Sequence, residues 1–362
     1  MSTLRIGYVG CGFMAQRVHL PNIAQAQGCE LVALAELRPE LAARVAARFG
    51  IERIYPDHQA LASDPDVGAV CLSLPYSIQG DVAADILAAG KDAFTEKPMA
   101  LSTAQAERIL EAQRRGGSRL MVGYMKRYDP GNELARQRID QWRRTGEMGA
   151  VTYVRNHGFC GDWLATLDSP FEKTDEPAPQ YYATDMLARN KPDWLPDEML
   201  PQYTGYLQQY THNVNLIRFF LDAGDRVQVK AVDFDPGSLA GVVVLDVDGV
   251  RAVLESGGVQ YHGWEENTQV YFNKGWIKVE SPPLMLRGSP ASVEVYRGET
   301  RESRRLYPDW GWSYRREIDH FVHCLATGQP FRSPAEDAAV DVRIFEDIFR
   351  KLMENRREEA ES

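Results

Sequence analysis

The sequence predicts an α/β half followed by an α+β half, and three observations predict it. From residue 4 to about 125, short apolar runs alternate with helix-length amphipathic stretches, the pattern of βαβ units around a doubly wound parallel sheet. From about residue 126 the pattern changes to strands of alternating residues joined by tight turns, which reads as a large open antiparallel sheet. A chain of 362 residues is also more than twice the length of a usual domain, so two domains are expected. The expected division is 1–125, then 126–355 with the final helix packing back on the first domain, then a charged tail 356–362 that frays.

In the first half the strands are expected at Arg5 to Val9, Glu30 to Ala35, Val67 to Leu72, Asp92 to Thr95 and Arg119 to Gly123. Each is rich in Val, Leu, Ile or Ala and follows turn or polar residues. Helices are expected at Met14 to Gln27, Glu40 to Phe49, Ile78 to Ala89 and Thr103 to Arg115, the last with Ser102 as N-cap. A helix at about Asn132 to Thr145 leads into the second half. Its strands are expected at Val151 to Phe159, Val227 to Phe234, Val242 to Asp246, Val250 to Glu255, Thr268 to Phe272, Trp276 to Val279 and Ser292 to Tyr296. Asp248-Gly249 and Asn273-Lys274-Gly275 supply hairpin turns.

Tyr203 to Leu221 reads as a helix, as do Tyr314 to Ala326 and Pro334 to Asn355. The last is opened by Ser333-Pro334-Ala335-Glu336, a capping box with proline at the first helical position. Residues 160 to 205 follow neither period and carry many Pro, Asp and aromatic residues, among them Trp163 and Trp194. A long ordered loop of this kind serves as a lid, a binding loop or a subunit contact.

Composition narrows the function. With 41 Lys+Arg against 51 Asp+Glu and no long basic cluster, affinity for nucleic acid or an anionic membrane has no electrostatic support, and small-molecule partners are expected. The five cysteines form no C-x-x-C pair, which argues against a disulfide scaffold or thiolate zinc site and for a reducing cytoplasm. No metal site is expected. The N-terminus runs directly into strand-like Leu4 to Val9, and no apolar run is long enough to span a membrane, so a cytoplasmic protein is expected.

Gly10-Cys11-Gly12-Phe13-Met14-Ala15 lies between the first strand and first helix and matches G-x-G-x-x-A in the context where that motif has meaning. Gly10 permits the tight turn, Gly12 lets backbone approach a pyrophosphate, and Ala15 keeps the helix close to the sheet, the design of a Rossmann dinucleotide site. Glu36 ends the second strand about twenty residues after the motif, where a carboxylate accepts from ribose hydroxyls and repels a 2′-phosphate. NAD is therefore favoured over NADP, although Arg38 offers a guanidinium that could turn onto a phosphate. Ser73 and Pro75 follow the third strand and complete the expected cofactor contacts.

Glu96-Lys97-Pro98 follows the fourth strand at the carboxyl end of the sheet, where ligands of doubly wound folds bind. Together with Gly10 to Ala15, Glu36, Gly90-Lys91 and Arg127-Tyr128-Asp129-Pro130, it makes the sequence resemble the glucose-fructose oxidoreductase, inositol dehydrogenase and rhizopine-catabolism (Gfo/Idh/MocA) family over nearly the whole chain. The resemblance implies that Lys97 is catalytic, Glu96 holds the nicotinamide ribose, and Pro98 fixes the turn through a cis bond. The chemistry agrees for Lys97, since an ammonium beside the nicotinamide stabilises developing alkoxide as hydride leaves carbon.

On the Tyr203 to Leu221 helix an apolar stripe at Leu207, Tyr210, Val214, Ile217 and Leu221 faces away from Gln208, His212 and Asn215. The family motif places a general-base histidine here, with an aspartate four residues earlier and Asp or Asn three residues later. His212 and Asn215 match and Gln208 departs, as does Gln79 where relatives commonly have a histidine. Gln208 cannot ionise to support an imidazolium, but it can hydrogen-bond substrate hydroxyls. His157, Trp163 and Trp194 are further candidate substrate contacts, with His262 ranked beside His157. His320 and His323 read as core or surface residues.

The resulting expectation is an NAD(P)-dependent oxidoreductase acting on a secondary alcohol of a sugar, glycoside or cyclic polyol, working as a homodimer or homotetramer. NADP-dependent reduction of a keto-sugar or other carbonyl, and a catalytically idle NAD(H)-binding regulatory protein, are the alternatives.

Overall fold

The computed structural model describes residues 3–161, 171–177, 184–235, 237–258 and 263–361. Two compact units emerge, interleaved along the chain: Met1–Tyr124, Asp168–Asp197 and Tyr314–Val342 form unit one, and Met125–Leu167, Glu198–Ser313 and Arg343–Ser362 form unit two. Among the described residues no helix is long and apolar enough to cross a membrane.

Unit one carries a six-stranded parallel sheet built from β1 (Leu4–Val9), β2 (Cys29–Ala35), β3 (Arg53–Tyr55), β4 (Ala69–Leu72), β5 (Asp92–Glu96) and β6 (Leu120–Gly123), in the order 3-2-1-4-5-6. This is the doubly wound arrangement, with its order reversing at β1 and β4. Both faces are covered, so the strands read as near-continuous apolar runs and β4 and β6 are buried at every residue.

The crossover segments are α1 (Leu20–Gln25), preceded by a π-helical turn at Ala15–His19, then α2 (Pro39–Phe49), α3 (His58–Ala62), α4 (Tyr76–Ala88) and α5 (Thr103–Gly116). The short pair β3 and α3 lacks a sequence period long enough to have been expected. Ser333 donates its hydroxyl to the Val122 carbonyl at 2.7 Å, and its own carbonyl accepts the Val122 N–H at 2.9 Å. Residues Ala335, Ala338 and Val342 join the apolar core of this unit.

Unit two contains α6 (Pro130–Thr145) and an eight-stranded sheet of β7 (Val151–Cys160), β8 (Val227–Phe234), β9 (Gly241–Val247), β10 (Val250–Gly258), β11 (Trp264–Phe272), β12 (Gly275–Glu280), β13 (Ser292–Arg297) and β14 (Glu302–Leu306). The sheet is mostly antiparallel, as expected, with one parallel pair that the sequence did not show. β7 lies between β10 and β11 and pairs in parallel with β10, so the sheet is mixed. The long chain segment between β7 and β8 permits that parallel pairing, which a short turn could not. β14, with the sequence ESRRL, is an exposed charged edge strand that shows no apolar alternation.

Two helices fall within the 160–205 stretch, α7 (Thr184–Asn190) in unit one and the start of α8 (Leu200–Leu221) in unit two. The closing helices are α9 (Ser313–Thr327) and α10 (Ala335–Glu361). The tail expected to fray instead continues α10 to Glu361, because its Arg and Glu residues are strong helix formers.

Candidate functional site

In unit one the glycine-rich turn has the form its residues demand. Gly10 has φ of +96°, and a Cβ there would lie 2.9 Å from the Ser73 carbonyl oxygen and 2.8 Å from Leu74, so both conformation and space require glycine. Gly12 is different: it is exposed and a Cβ would meet nothing within 4 Å, which leaves an open backbone surface at the start of the helix. Ala15 is fully buried. An open, glycine-lined helix start is what a pyrophosphate needs, so the residues present fit a dinucleotide.

Glu36, at the end of β2, is buried and spans the turn. Its Oε2 accepts the Cys11 N–H at 2.9 Å, and its Oε1 accepts from Arg38 Nε at 2.8 Å. A second guanidinium bond, from Arg38 to Oε2 at 3.1 Å, makes the pair bidentate. Sequence placed Glu36 and Arg38 at the adenosine end; the structure adds that the carboxylate also fixes the glycine turn. Burial, and then the Glu36 charge, push the Cys11 thiol far up and keep it neutral. Ser73 hydrogen-bonds the Tyr8 hydroxyl at 2.7 Å, and Pro75 precedes α4.

The Glu96-Lys97-Pro98 turn leaves the carboxyl end of β5, and its Lys97–Pro98 bond is cis. Gln79, fully enclosed on α4, pins the turn: its amide donates to the Glu96 carbonyl at 2.6 Å and the Pro98 carbonyl at 3.0 Å, while its oxygen accepts the Leu74 N–H. The glutamine that departs from the family pattern thus holds the backbone of this turn. Glu96 Oε2 accepts the Lys97 N–H at 3.1 Å, and Oε1 meets His19 Nε2 at 2.8 Å. Lys97 itself is half-buried.

The described part of the long loop clasps this same unit. Gln16 and Glu172 exchange two hydrogen bonds, at 2.7 and 3.0 Å, and Phe171 packs edge-on against Phe13 of the glycine motif at 5.8 Å. Glu176 accepts the Glu40 and Leu41 N–H groups at 2.9 Å each, capping α2 and lowering its own pKa through those bonds despite an opposing desolvation effect. Trp194 belongs to this unit and is half-buried. Trp163 and His262 lie outside the described residues.

In unit two, α8 carries His212 and Asn215, both buried, and Gln208, which is exposed. Arg127 donates to the Asn215 oxygen at 2.6 Å, and Asp129 caps α6 through the Gly131 and Asn132 N–H groups. One residue along from His212, Asn213 donates to Asn156 at 2.8 Å and to Glu266 at 3.2 Å, and Glu266 forms a buried ion pair with Lys126.

His157 is not brought to this row. Asn156 faces α8, so its neighbour points to the opposite side of the sheet, where His157 Nδ1 meets Glu255 at 2.7 Å and the ring stacks on Phe159. Sequence reading missed Gln79 as a clamp, His19, Glu317 and the Lys126–Glu266 pair. The only available signals were polar residues inside otherwise apolar segments.

A family model described as an oxidoreductase family with an NAD-binding Rossmann fold matches residues 4–124. An inositol 2-dehydrogenase of Pseudomonas fluorescens is 36% identical over 144 residues, 39% of this chain and 43% of that protein, so the chain spans less than half the length of that relative. A second inositol 2-dehydrogenase, from Burkholderia lata, is 33% identical over 305 residues and covers 81% of this chain and 79% of its own. Among solved structures, an aldose-aldose oxidoreductase of Caulobacter crescentus complexed with glycerol superposes with a TM-score of 0.73 at 21% identity, over 98% of each chain. At that identity the likeness shows the fold.

Proposed function

The chain belongs to the Gfo/Idh/MocA oxidoreductase family, and from that we propose that it transfers hydride between a nicotinamide cofactor and a secondary alcohol or ketone of a sugar, glycoside or cyclic polyol. The observation that carries this reading is the Glu96-Lys97-Pro98 turn, pinned by Gln79 at the carboxyl end of a parallel sheet whose glycine loop is open at Gly12.

Gly10 to Ala15, Ser73 and Pro75 hold the dinucleotide, and Glu36 with Arg38 meets its adenosine ribose. NAD is the favoured form. NADP is the alternative because the Arg38 guanidinium, which pairs with Glu36, is a group suited to a 2′-phosphate. Glu96 accepts from the nicotinamide ribose hydroxyls. The cofactor, when bound, supplies the hydride acceptor or donor.

Lys97 polarises the reacting oxygen of the substrate and stabilises negative charge on it, and His212 takes the hydroxyl proton. Asn215, held by Arg127, and exposed Gln208 bind substrate hydroxyls. Homo-oligomerisation through the open sheet face is part of the same reading. Tyr153, Tyr271, Trp276 and Tyr296 stand opposite one another across four adjacent strands, an aromatic stripe suited to burial.

Incubating the protein with NAD or NADP and a panel of polyols and sugars, while following reduced nicotinamide absorbance, tests the reaction. Lys97→Ala is expected to lower kcat by on the order of 100-fold or more with cofactor affinity barely changed. Tight cofactor binding with no turnover across the panel would favour the idle regulatory protein, for which Gln208 in place of the family aspartate is the supporting feature.

A further inference from the structure

Behind the Glu96-Lys97-Pro98 turn lies a buried group that the proposed chemistry does not use. Glu317, on α9, has no exposed surface, and neither of its carboxyl oxygens has a hydrogen-bond partner among the described residues. One of those oxygens, a carboxylate oxygen of Glu96 and an imidazole nitrogen of His19 all lie within 4.8 Å of one another. His19 is itself enclosed by aromatic rings, with Tyr8, Phe94 and Tyr314 at centroid distances of 6.3, 5.3 and 6.2 Å. Two carboxylates this close in an apolar enclosure cannot both ionise without large repulsion.

We propose that Glu317 is kept as the neutral acid and shares its proton with Glu96, acting as a positioning residue that holds Glu96 against His19 at the back of the turn. Glu96 is the member that stays charged, because it already accepts from the Lys97 N–H and pairs with His19, whereas neither carboxyl oxygen of Glu317 has a hydrogen-bond partner among the described residues. At this separation a small torsional shift lets the neutral acid donate to Glu96.

Among the described residues, the other titratable groups facing the pair are Tyr8 on β1, Cys71 on β4 and Tyr314 on α9. Burial above all pushes each of them up, so they add no charge. Burial first, and the Glu96 charge second, also push Glu317 well above the usual carboxylate range. A cation is the competing occupant of such a cluster. It is disfavoured because the cluster offers three ligand atoms where structural sites use four or more, and His19 Nε2 is already engaged with Glu96.

The consequence is a stability that falls as pH rises. A carboxyl whose folded-state pKa is raised keeps a proton that the unfolded chain releases above about pH 4.3, so the fold weakens from there up to the folded-state pKa. Glu317→Gln carries its hydrogens at every pH and removes that dependence. Denaturant unfolding between pH 5 and 8 should therefore show the wild-type unfolding constant rising relative to that of Glu317→Gln, approaching about tenfold per pH unit.

Because the positioning role rests on Glu96 as a cofactor contact, dissociation constants for NAD are measured in parallel. Glu317→Gln should stay within about twofold of wild type, and Glu317→Leu, which cannot donate, should weaken binding by on the order of tenfold. A stability gap that does not change with pH overturns the proposal, and so does one equivalent of metal in the purified wild type that is lost in Glu317→Gln. If Glu317→Leu does not fold, the amide variant alone decides. A pH-dependent gap in a protein that binds no dinucleotide would support the shared proton and overturn the proposed function.

Discussion

The turn after β5 and the His212 row on α8 are built in opposite ways. The turn is a backbone feature: Gln79 holds two of its carbonyls, and Glu96 is fastened by one imidazole and one amide. The row stands beside side-chain electrostatics, where the Lys126–Glu266 ion pair is joined to α8 through Asn213, which also donates to Asn156, and Arg127 holds Asn215 separately. A backbone turn is specified by a few adjacent residues. A buried charge network is specified by residues far apart that must all be present, since one missing member strands a charge in the interior.

Removing one member of that network should give the largest effect. Lys126 and Glu266 are both almost wholly buried. Glu266→Ala removes the buried carboxylate paired with the Lys126 ammonium, and urea unfolding should show a loss of about 3–5 kcal/mol. Replacing both residues by apolar ones should recover most of it. If Glu266→Ala costs less than about 1 kcal/mol, the pair is solvated and the contrast between turn and row disappears.

The same contrast explains what the sequence disclosed. Gly10 to Ala15 and Glu96 to Pro98 are contiguous and sit at fixed places relative to strands of one period, so both motif and context were legible. The partners were not. Gln79 reaches Glu96 across 17 residues, His19 reaches it across 77, and Lys126 reaches Glu266 across 140, and no periodicity marks such pairs. The parallel pairing of β7 with β10 was hidden for a related reason. A strand's own alternation says which face is buried but not which neighbour it joins. The 160–205 stretch was recognised as unusual, yet its polar composition did not show that Glu172 and Glu176 tie it to Gln16 and α2.

A middle-sized effect is expected at the turn itself. Gln79→Leu keeps the bulk of the side chain but removes two donors and one acceptor, leaving the Glu96 and Pro98 carbonyls and the Leu74 N–H without their present partner. An unsatisfied buried polar group costs about 1–3 kcal/mol, so both stability and geometry should suffer. In the assay above, kcat/KM should fall by on the order of tenfold or more, while Gln79→His, which restores the residue common in relatives, should keep part of the activity. An unchanged kcat/KM in Gln79→Leu would mean that the backbone turn holds itself and that Gln79 is only packing.

The smallest expected effect separates two duties that one carboxylate performs. Glu36 faces the adenosine ribose by the proposed reading, and in the structure it also holds the Cys11 N–H of the glycine turn while pairing with Arg38. Glu36→Ala removes the acceptor for ribose hydroxyls and releases the Arg38 guanidinium, which is suited to a phosphate. The NAD value of kcat/KM should then fall while the NADP value falls less, narrowing their ratio by roughly five- to tenfold, as expected for the loss of one or two charge-assisted hydrogen bonds. Equal losses with both cofactors would assign Glu36 to the glycine turn alone, making this end of the cradle a backbone device like the turn after β5. A wild type that already prefers NADP would instead make Arg38 the residue that sets the choice, with Glu36 serving to aim it.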